Sequence, residues 1–381
     1  MVALALSTRD PSMAIGQPID ALDTPALVLD LDIVEANIAR TVEIAQTAGA
    51  RLRPHIKTHR MLAVARLQID AGAQGICCAK TGEAEVFADG GIDDIFIANQ
   101  VVGAAKMRRL RALAERVRLA VGVDHPEQIE LLSQAFGGAE SLDISIEIDV
   151  GQFRTGVVEA HEAVGLAQRI LHSPGLALRG VYTHEGHDYA ARDEADLAVI
   201  ADQAQRQMLE AAQAIRDATG EPCEVSMGST PSLFARKFHP GIDELRPGTA
   251  VFNDGSHANF LGHTDWCAAT VLATVVNRPA PDRVVVDAGA KALTSDRRGP
   301  SILENRGFGM VVGRPDATIV SLSDEHGVLS VPDAGAYSIG EVIRIIPNHI
   351  CPCVNLYDHA FVARDGIVED VWEVSARGQS Q

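Results

Sequence analysis

A lysine stands at the predicted end of a β-strand in the basic run RLRPHIKTHR, residues 51–60. Apolar residues alternate with basic ones before it, as in a half-buried strand. A lysine amine at such a position can form a Schiff base with a carbonyl cofactor when partial burial and neighbouring cations lower its pKa. We expect His55, His59 and Arg53, all close to Lys57 in the sequence, to supply such neighbours. Lys57 is therefore a candidate nucleophile, and the alternative is a surface lysine whose stem covers apolar groups.

A second candidate site is the pair His349 and Cys351 in PNHICPCVNL, residues 347–356. Two residues apart on a strand, both side chains would point to one face. An imidazole beside a thiolate favours zinc. Two ligands are half of a zinc site, and Cys353 has the same parity, so it is either a third ligand or core filler. We predict a metal-binding pair at His349 and Cys351.

Two loops rich in small residues are candidates for binding a phosphate group. SMGSTPS (226–232) and RPGTAVFND (246–254) each include or follow a predicted strand end, where free backbone N–H groups can surround an anion. For the first loop, an ordinary turn with a serine or threonine N-cap is the alternative. The candidate phosphate-binding residues are Gly228, Ser229, Thr230, Gly248 and Thr249.

Further polar side chains occur at two other predicted strand ends, in EIDVGQFRTGV (147–157) and VYTHEGHDY (181–189). Arg154 either pairs with a buried carboxylate of its own segment or faces a phenolic oxygen of a cofactor. The remaining candidates are either acid–base groups or polar core residues, namely Tyr182, His184 and His187.

Eight short β-rich runs between residues 51 and 252 alternate with stretches of helical periodicity. The clearest helix ends at Gly220, a typical helix stop. Such alternation predicts parallel βα units, and eight of them predict a TIM-like (β/α)8 barrel with reactive residues at the C-terminal ends of its strands. Lys57, His184 and Gly228 fall at such ends. The predicted strands are 51–56, 75–79, 94–99, 118–123, 142–149, 177–184, 223–228 and 244–252.

The pattern changes after about residue 264, where strand-like segments separated by turn residues replace the alternation. This region predicts a second, mainly β domain. The N-terminal segment TPALVLDLDIVEANI (24–38) offers one more strand for the same domain. We therefore expect a barrel domain at residues 36–260 and a β domain formed by residues 1–35 plus 261–381, which carries the metal-ligand pair.

Composition limits the class of protein. The 381 residues are 46% hydrophobic and 22% charged, with a formal net charge of −18, which is typical of a soluble globular protein. The acidic balance argues against nucleic acid and anionic membranes as partners. Six cysteines in so long a chain do not form a disulfide framework, and the N-terminus lacks a signal-peptide pattern. We expect a cytoplasmic protein that acts on a small molecule.

Together these segments resemble the D-serine dehydratase and D-threonine aldolase family, a metal-dependent branch of the alanine-racemase-like pyridoxal-phosphate enzymes of fold type III. The similarity runs from about residue 20 to the C-terminus. Its most specific parts are RPHIKTH and the segment from NHICP to WEVSARG. The resemblance implies a barrel plus a β domain, and a homodimer with the active site near the subunit interface.

The resemblance also implies a role for each candidate residue. Lys57 would carry pyridoxal 5'-phosphate, with Arg154 and Tyr182 beside its ring. The two small-residue loops would bind the phosphate through the five residues named above. The pair near the C-terminus would hold a divalent metal, and zinc suits its ligands.

The expected reaction is the elimination of water from a D-β-hydroxy amino acid, such as D-serine or 3-hydroxy-D-aspartate, giving a 2-keto acid and ammonia. Within the family, a histidine followed two residues later by a cysteine favours this dehydratase reaction. The alternative is an aldolase that cleaves D-threonine or 3-hydroxy-D-aspartate to glycine and an aldehyde, with His184 or His187 as the base. A non-catalytic carrier of pyridoxal phosphate is a weaker alternative, because such proteins resemble the barrel alone.

Overall fold

The computed structural model of the chain describes residues 10–138, 141–235 and 237–381. Among the helices in these ranges, none is long and apolar enough to cross a membrane. The strands are β1 (Ala26–Asp30), β2 (Arg51–Leu52), β3 (Ile76–Cys78), β4 (Asp94–Gln100), β5 (Arg118–Val123), β6 (Leu142–Glu147), β7 (Leu176–Tyr182), β8 (Glu224–Met227), β9 (Glu244–Leu245), β10 (Ala269–Ala280), β11 (Arg283–Val286), β12 (Met310–Val311), β13 (Thr318–Leu322), β14 (Gly327–Ser330), β15 (Val342–Ile346), β16 (His359–Arg364) and β17 (Ile367–Glu373). The α-helices are α1 (Leu31–Thr47), α2 (Leu62–Asp70), α3 (Thr81–Asp89), α4 (Ala104–Ala114), α5 (Pro126–Phe136), α6 (Ala160–Leu171), α7 (Glu194–Thr219), α8 (Thr230–Ala235), α9 (Gly255–Leu261), α10 (Ala290–Leu293) and α11 (Ile350–Val354). Short 3-10 turns occur at Pro11–Ala14, Ile19–Ala21, Ile56–Thr58, Gly186–Ala190, Thr249–Val251 and Ala334–Ala336.

The described residues form two compact units. One unit contains Lys57 and is called the barrel unit. The other contains His349 and Cys351 and is called the sheet unit. Among the described residues, the barrel unit comprises those within 39–57, 64–248 and 378–381, and the sheet unit comprises those within 10–38, 58–63 and 249–377.

An eight-stranded parallel sheet forms the barrel unit, in the order β2-β9-β8-β7-β6-β5-β4-β3. An isolated parallel bridge between His55 and Cys77 joins the first strand region to the last. The predicted TIM-like barrel is thus confirmed, and each predicted strand overlaps an observed one. β2 and β9 are only two residues long, because each runs into an Arg-Pro pair and proline has no N–H for the ladder.

Charged side chains lie inside the barrel unit beside the apolar ones. Glu244 is fully buried and accepts hydrogen bonds from Arg53, Arg179 and Ser226, each at 2.7 Å. Ser226 in turn accepts a hydrogen bond from Arg246, which is also buried. Burial alone would raise the pKa of Glu244, but the surrounding arginines lower it to about 2. These five residues form the ionic layer of the barrel, which is stable only while each buried charge keeps its partners.

Helix α7 shows how local signals set an element's bounds. It begins after Asp193, whose side chain accepts a hydrogen bond from the Asp196 N–H, and it has 26 residues. It ends at Gly220, where φ is 73° and the N–H donates to the Arg216 carbonyl. A left-handed residue after a helix favours glycine, so the predicted helix stop is confirmed.

A nine-stranded sheet forms the sheet unit, in the order β11-β14-β13-β12-β15-β10-β1-β16-β17. β1, from the N-terminal segment, pairs antiparallel with β10 and parallel with β16, as the sequence predicted. Val28, Leu272 and Val368 share one apolar cluster on this sheet, and burying them stabilises the arrangement. The predicted second, mainly β domain is confirmed.

The segment with the predicted metal ligands differs from the expectation of a strand. β15 ends at Ile346, and Ile350–Val354 form the short helix α11 with His349 as its N-cap. Pro352 lies in the first turn of this helix. A proline is well tolerated there, because the N–H that it lacks would have no partner within the helix. The strand predicted for this pair is therefore wrong.

Candidate active site

A cavity of about 260 Å³ opens at the C-terminal ends of the barrel strands, where a TIM-like barrel holds its reactive groups. This volume is close to the lower end of the range for small-molecule sites, which is about 300 Å³. Five predicted residues line the cavity, namely Lys57, Arg154, Tyr182, His184 and Gly228. The other lining residues are His55, Ala79, Ala98, Asn99, Gln100, Glu147, Thr155 and Arg246.

Lys57 stands in the single 3-10 turn that follows β2. Its neighbour Ile56 is fully buried and anchors this turn in the apolar core. The Lys57 side chain is partly buried. Because Arg154 and Arg246 line the same cavity, the local charge is positive although the chain is acidic. Such a cavity favours an anionic ligand.

A buried carboxylate organises one wall of the cavity. Glu147 accepts hydrogen bonds from the Tyr182 hydroxyl at 2.9 Å and from the Gln100 amide. A guanidinium nitrogen of Arg154 lies 3.7 Å from Glu147, and the Arg154 side chain is 52% exposed. Arg154 therefore pairs only loosely with a carboxylate of its own segment. Burial, and then the charge of Glu147, raise the pKa of Tyr182, so this phenol stays neutral and donates a hydrogen bond.

Arg246 lines the cavity and is the first residue of the second predicted phosphate loop, RPGTAVFND, but it was not among the candidate residues. Its guanidinium lies 5.4 Å from the centre of the Tyr182 ring and 5.5 Å from that of Phe96. Nη2 donates to the Thr183 carbonyl at 2.6 Å, whereas Nε has no hydrogen-bond partner among the described residues. A buried donor of this kind suits a polar ligand atom. The signal in the sequence is the Arg-Pro pair after β9, which matches the Arg-Pro pair after β2.

The two candidate histidines lie in different surroundings. His184 is on the cavity wall, and the His187 ring packs against Gly151 instead. Nδ1 of His184 lies 2.6 Å from the Gly228 carbonyl, to which it donates, so Nε2 is left as an acceptor. Burial, and then the charge of Lys57, lower the pKa of His184 to about 3. The ring is therefore neutral near pH 7.

The loop at 228–232 approaches the cavity through Gly228. A Cβ atom at that position would lie 3.0 Å from the Arg246 carbonyl oxygen, so glycine permits the close approach. The Gly228 N–H donates to the Glu185 carboxylate at 2.9 Å. Thr230 has a buried hydroxyl without a hydrogen-bond partner in the described part of the chain. That hydroxyl is available to a bound anion.

Ser229, the remaining candidate of this loop, is engaged by a buried carboxyl group. Its hydroxyl donates to Asp188, which also accepts from the Ser232 hydroxyl at 2.7 Å and the Ser232 N–H at 3.1 Å. Burial, and then the charge of Glu185, raise the pKa of Asp188 to about 7. The segment after β7 thus fixes the loop through carboxyl groups, and phosphate binding by Ser229 stays a prediction.

The predicted metal ligands are adjacent within the sheet unit. His349 is the N-cap of α11, Cys351 lies in its first turn, and their side chains share a hydrogen bond. Cys351 Sγ also lies 3.3 Å from the Thr58 hydroxyl and 3.8 Å from that of Thr249. Burial lowers the pKa of His349, but the hydrogen bond and the charge of Cys351, together with the charge of Asp254 and the hydrogen bond to Asp296, raise it to about 9. Imidazole and thiol groups in contact form a donor pair that suits zinc.

In the second predicted phosphate loop, residues 246–248 belong to the barrel unit and residues 249–254 belong to the sheet unit. Gly248 is a partly exposed residue at the end of a barrel-unit segment. Thr249 begins the next segment of the sheet unit, where its hydroxyl lies near Cys351. Phosphate binding by these two residues stays a prediction.

Buried groups hold α11 in place. Asp254 accepts hydrogen bonds from the Ile350 N–H at 3.2 Å and from His257 Nδ1 at 2.7 Å. Cys353 is buried, and its thiol donates to the Ala292 carbonyl at 3.2 Å, which supports the interpretation as core filler. Within the part of the chain that the structure describes, no group of three or more His, Cys, Asp or Glu side chains has a metal-binding arrangement. Two protein ligands leave positions open for water and substrate.

These residues fit both groups that the resemblance implies. A lysine amine, a neutral phenol and two guanidinium groups surround a cavity of suitable size for an anionic aromatic cofactor. Two buried donors near it, Thr230 Oγ1 and Arg246 Nε, lack protein partners among the described residues. The imidazole and thiol of the sheet unit suit a divalent metal such as zinc.

Comparisons of sequence identify relatives over almost the whole chain. Residues 29–255 match the family "Alanine racemase, N-terminal domain", and residues 268–363 match "Putative serine dehydratase domain". A D-threonine aldolase from Arthrobacter sp is 38% identical over 377 residues, which cover 96% of each chain. A D-threo-3-hydroxyaspartate dehydratase from Delftia sp. (strain HT23) is 36% identical over 374 residues, which cover 92% of this chain and 97% of the relative.

Solved structures share the fold. The D-threonine aldolase from Filomicrobium marinum has a TM-score of 0.88 at 34% identity, covering 96% of this chain and 98% of that one. A D-threo-3-hydroxyaspartate dehydratase with a histidine replaced by alanine has a TM-score of 0.87 at 32% identity, covering 95% and 97%. The same type of enzyme with a cysteine two positions later replaced, in a metal-free form, has a TM-score of 0.85 at 33% identity, covering 94% and 98%. The chain therefore belongs to the D-serine dehydratase and D-threonine aldolase family of alanine-racemase-like pyridoxal-phosphate lyases.

Proposed function

We propose that the protein is a lyase dependent on pyridoxal 5'-phosphate and a divalent metal, and that it eliminates water from D-β-hydroxy amino acids. The observation that carries this proposal is the contact between the imidazole of His349 and the thiol of Cys351. A dehydratase of the family has been studied with a histidine and a cysteine at the same two-residue spacing replaced, the second in a metal-free form. His349 and Cys351 would hold the ion, and zinc suits this pair.

The barrel unit supplies the groups that act at Cα. Pyridoxal phosphate, when bound, is the electron sink that makes loss of the Cα proton possible. Lys57 would hold the cofactor covalently, and its amine, once displaced by that of the substrate, would take this proton. Arg154 and Tyr182 would lie beside the ring, where the hydrogen bond to Glu147 restrains Tyr182 and Arg154 stays loosely paired. The two small-residue loops would bind the phosphate, with Thr230 as the donor that has no other partner among the described residues.

The sheet unit supplies the group that water loss requires. Hydroxide is a poor leaving group, and a divalent ion acts as the Lewis acid that stabilises the departing charge. His349 and Cys351 would hold this ion and leave positions open for the substrate. D-serine would lose one water on elimination and regain one on hydrolysis, so the products are pyruvate and ammonia. From 3-hydroxy-D-aspartate the products would be oxaloacetate and ammonia.

Aldol cleavage of the same substrate class is the second candidate. The 38% identity with a D-threonine aldolase over 96% of both chains favours it. In this reaction a base takes the proton of the β-hydroxyl, and the Cα–Cβ bond breaks to give glycine and an aldehyde. His184 would be the base, because its Nε2 is left as an acceptor. The charge of Lys57 is one cause of the low pKa of His184, and attachment of the cofactor to Lys57 would remove that charge, so the reaction products, rather than this pKa, distinguish the two reactions.

Product analysis distinguishes the two reactions. The purified protein, loaded with pyridoxal phosphate and Zn²⁺, is incubated with D-serine, D-threonine and 3-hydroxy-D-aspartate, and the L-enantiomers are the controls. We expect ammonia and a 2-keto acid from at least one D-substrate, and no activity after chelation of the metal. Glycine and an aldehyde as the main products would establish the aldolase, and no product from any substrate would contradict both candidates.

Substitution of the metal ligands tests the ion's role. His349→Ala should abolish water elimination, and re-addition of Zn²⁺ should not restore it. The matched control is His326→Ala, which removes an exposed histidine of the same unit and should leave the activity unchanged. Full activity in His349→Ala would contradict the role of the pair.

The carrier alternative loses support from the comparisons. Two relatives that cover 96% and 92% of the chain are named as an aldolase and a dehydratase, not as binding proteins. We further propose the homodimer that the resemblance implies, and light scattering of the purified protein measures it directly. A monomeric mass would contradict it.

A further inference from the structure

A carboxylate that no motif indicated contacts one of the proposed metal ligands. Asp296 Oδ2 lies 2.8 Å from His349 Nδ1, and the two residues are 53 positions apart in the sequence. Because Nδ1 is engaged, Nε2 is the ring nitrogen left for a metal. Histidine ligands generally donate their other N–H to a carboxylate or a carbonyl, which fixes the tautomer and the plane of the ring.

The loop that presents Asp296 is fixed independently of this contact. The buried amide of Asn348 donates to the backbone carbonyls of Asp296 at 3.0 Å and of Gly307 at 2.7 Å. Thr294, at the end of α10, has φ of 67°, which is unfavourable for a β-branched side chain. Such strain persists only where the surroundings impose it, and it is frequent at functional sites. The backbone thus holds the carboxylate where it meets the imidazole.

The contact between Asp296 and His349 contributes too little to folding stability to explain why it is present. The Asp296 side chain is 53% exposed and that of His349 is 32% exposed. Ion pairs in such exposed positions contribute little to folding. The buried support for α11 comes instead from Asp254, which accepts the Ile350 N–H. Asp296 therefore adds control of the ring's orientation rather than support for the helix.

We propose that Asp296 is a positioning residue, which orients His349 so that Nε2 and Cys351 Sγ bind one divalent ion. Because this role takes His349 and Cys351 as metal ligands, it rests on the proposed function. Asp296 itself contacts neither the metal nor the substrate and acts through the imidazole.

Metal affinity, rather than activity, tests this role. The full-length protein is titrated with Zn²⁺ in competition with a chromophoric chelator. Asp296→Asn keeps the shape and removes the charge, and we expect a roughly 10- to 100-fold weaker affinity for Zn²⁺, the usual effect of losing such a partner. Asp296→Glu should recover part of the loss. The control is Asp324→Asn, which neutralises an exposed carboxylate beside Lys291 and should bind Zn²⁺ as tightly as the unaltered protein.

The outcomes separate this role from the proposed function. Equal Zn²⁺ affinity in Asp296→Asn and the unaltered protein would overturn the role of Asp296 alone. No stoichiometric Zn²⁺ binding by the unaltered protein would overturn the proposed function itself. Asp296→Asn could weaken Zn²⁺ binding simply by destabilising the protein, and a lower thermal midpoint of the metal-free variant would indicate this. In that case the ligand-field spectrum of the variant at saturating Co²⁺ distinguishes the two explanations. A changed spectrum supports the positioning role, and an unchanged spectrum overturns it.

Discussion

Gly122 on β5 lies directly against the phenol of Tyr182. A Cβ atom at Gly122 would lie 2.6 Å from Tyr182 Cζ and 2.8 Å from Cε1, far inside normal contact. The phenol has little freedom to yield, because it is buried, its ring packs against Phe96 with centroids 5.1 Å apart, and its hydroxyl donates to Glu147. Gly122→Ala must therefore displace this ring from its place in the cavity wall.

The size of the effect follows from these contacts. Overpacking a core destabilises it by about 1–3 kcal/mol. Loss of a hydrogen bond to a charged group contributes about 1.5–3 kcal/mol. Since a single displacement causes both, we expect Gly122→Ala to lower the free energy of unfolding by about 2.5–6 kcal/mol. The affinity for pyridoxal phosphate should fall as well, because Tyr182 lines the cavity.

Urea unfolding followed by circular dichroism measures the stability, and titration followed by visible absorbance measures cofactor binding. The matched control is Gly165→Ala. Gly165 lies in α6, and an added Cβ there has no neighbouring atom within 4 Å. This change should stabilise the protein by about 0.5–1 kcal/mol, because alanine favours a helix over glycine. If Gly122→Ala unfolds at the same urea concentration as the unaltered protein and binds the cofactor equally well, the reasoning is refuted.

Three further predictions concern the barrel unit. Lys57→Ala should remove the visible absorbance of bound pyridoxal phosphate while the circular dichroism stays the same, and a retained absorbance would show attachment elsewhere. Glu244→Gln removes the buried counter-charge of Arg53 and Arg179 and should lower the free energy of unfolding by about 3–5 kcal/mol in urea titrations; an unchanged midpoint would contradict the ionic layer. Asp188, whose pKa is raised to about 7 in the folded protein, binds its proton more tightly there than in the unfolded chain. Its contribution to stability is therefore fully present below about pH 4 and is lost, by up to about 4 kcal/mol, as the pH rises to about 7. Asp188→Asn should flatten this decline in the urea midpoint, and an identical pH profile would disprove it.

Both parts of the fold could be predicted from the sequence, because their signals are local. Runs of buried strand residues alternating with helical periodicity are typical of parallel strands covered on both faces. Gly220 marks a helix end through its own backbone conformation. The segment around Pro352 was misassigned, because a short stretch with period two can also be the start of a helix.

Residues of the candidate site could be predicted from the sequence only where their position at the end of a barrel strand brings them to the cavity. Lys57, Tyr182 and His184 lie at or just after the ends of barrel strands, so the general rule for such barrels brings them to one cavity. The sequence placed Arg246 in a candidate loop without indicating its contact with Thr183, and it gave no indication of Asp296, because these contacts join residues far apart in the sequence. The 53-residue separation of the Asp296 contact leaves no pattern in any local window.

Replacing the ionic layer of the barrel to raise thermal stability would also change the wall of the cavity. Exchange of a buried ion pair for apolar side chains is often neutral or stabilising, which makes such a layer an attractive engineering target. In this barrel the exchange would remove Glu244, and with it the hydrogen-bonded route through Ser226 that restrains Arg246. Arg246 would then keep its hydrogen bond to the Thr183 carbonyl but lose a buried counter-charge, so a more stable barrel would hold this guanidinium less firmly on the cavity wall.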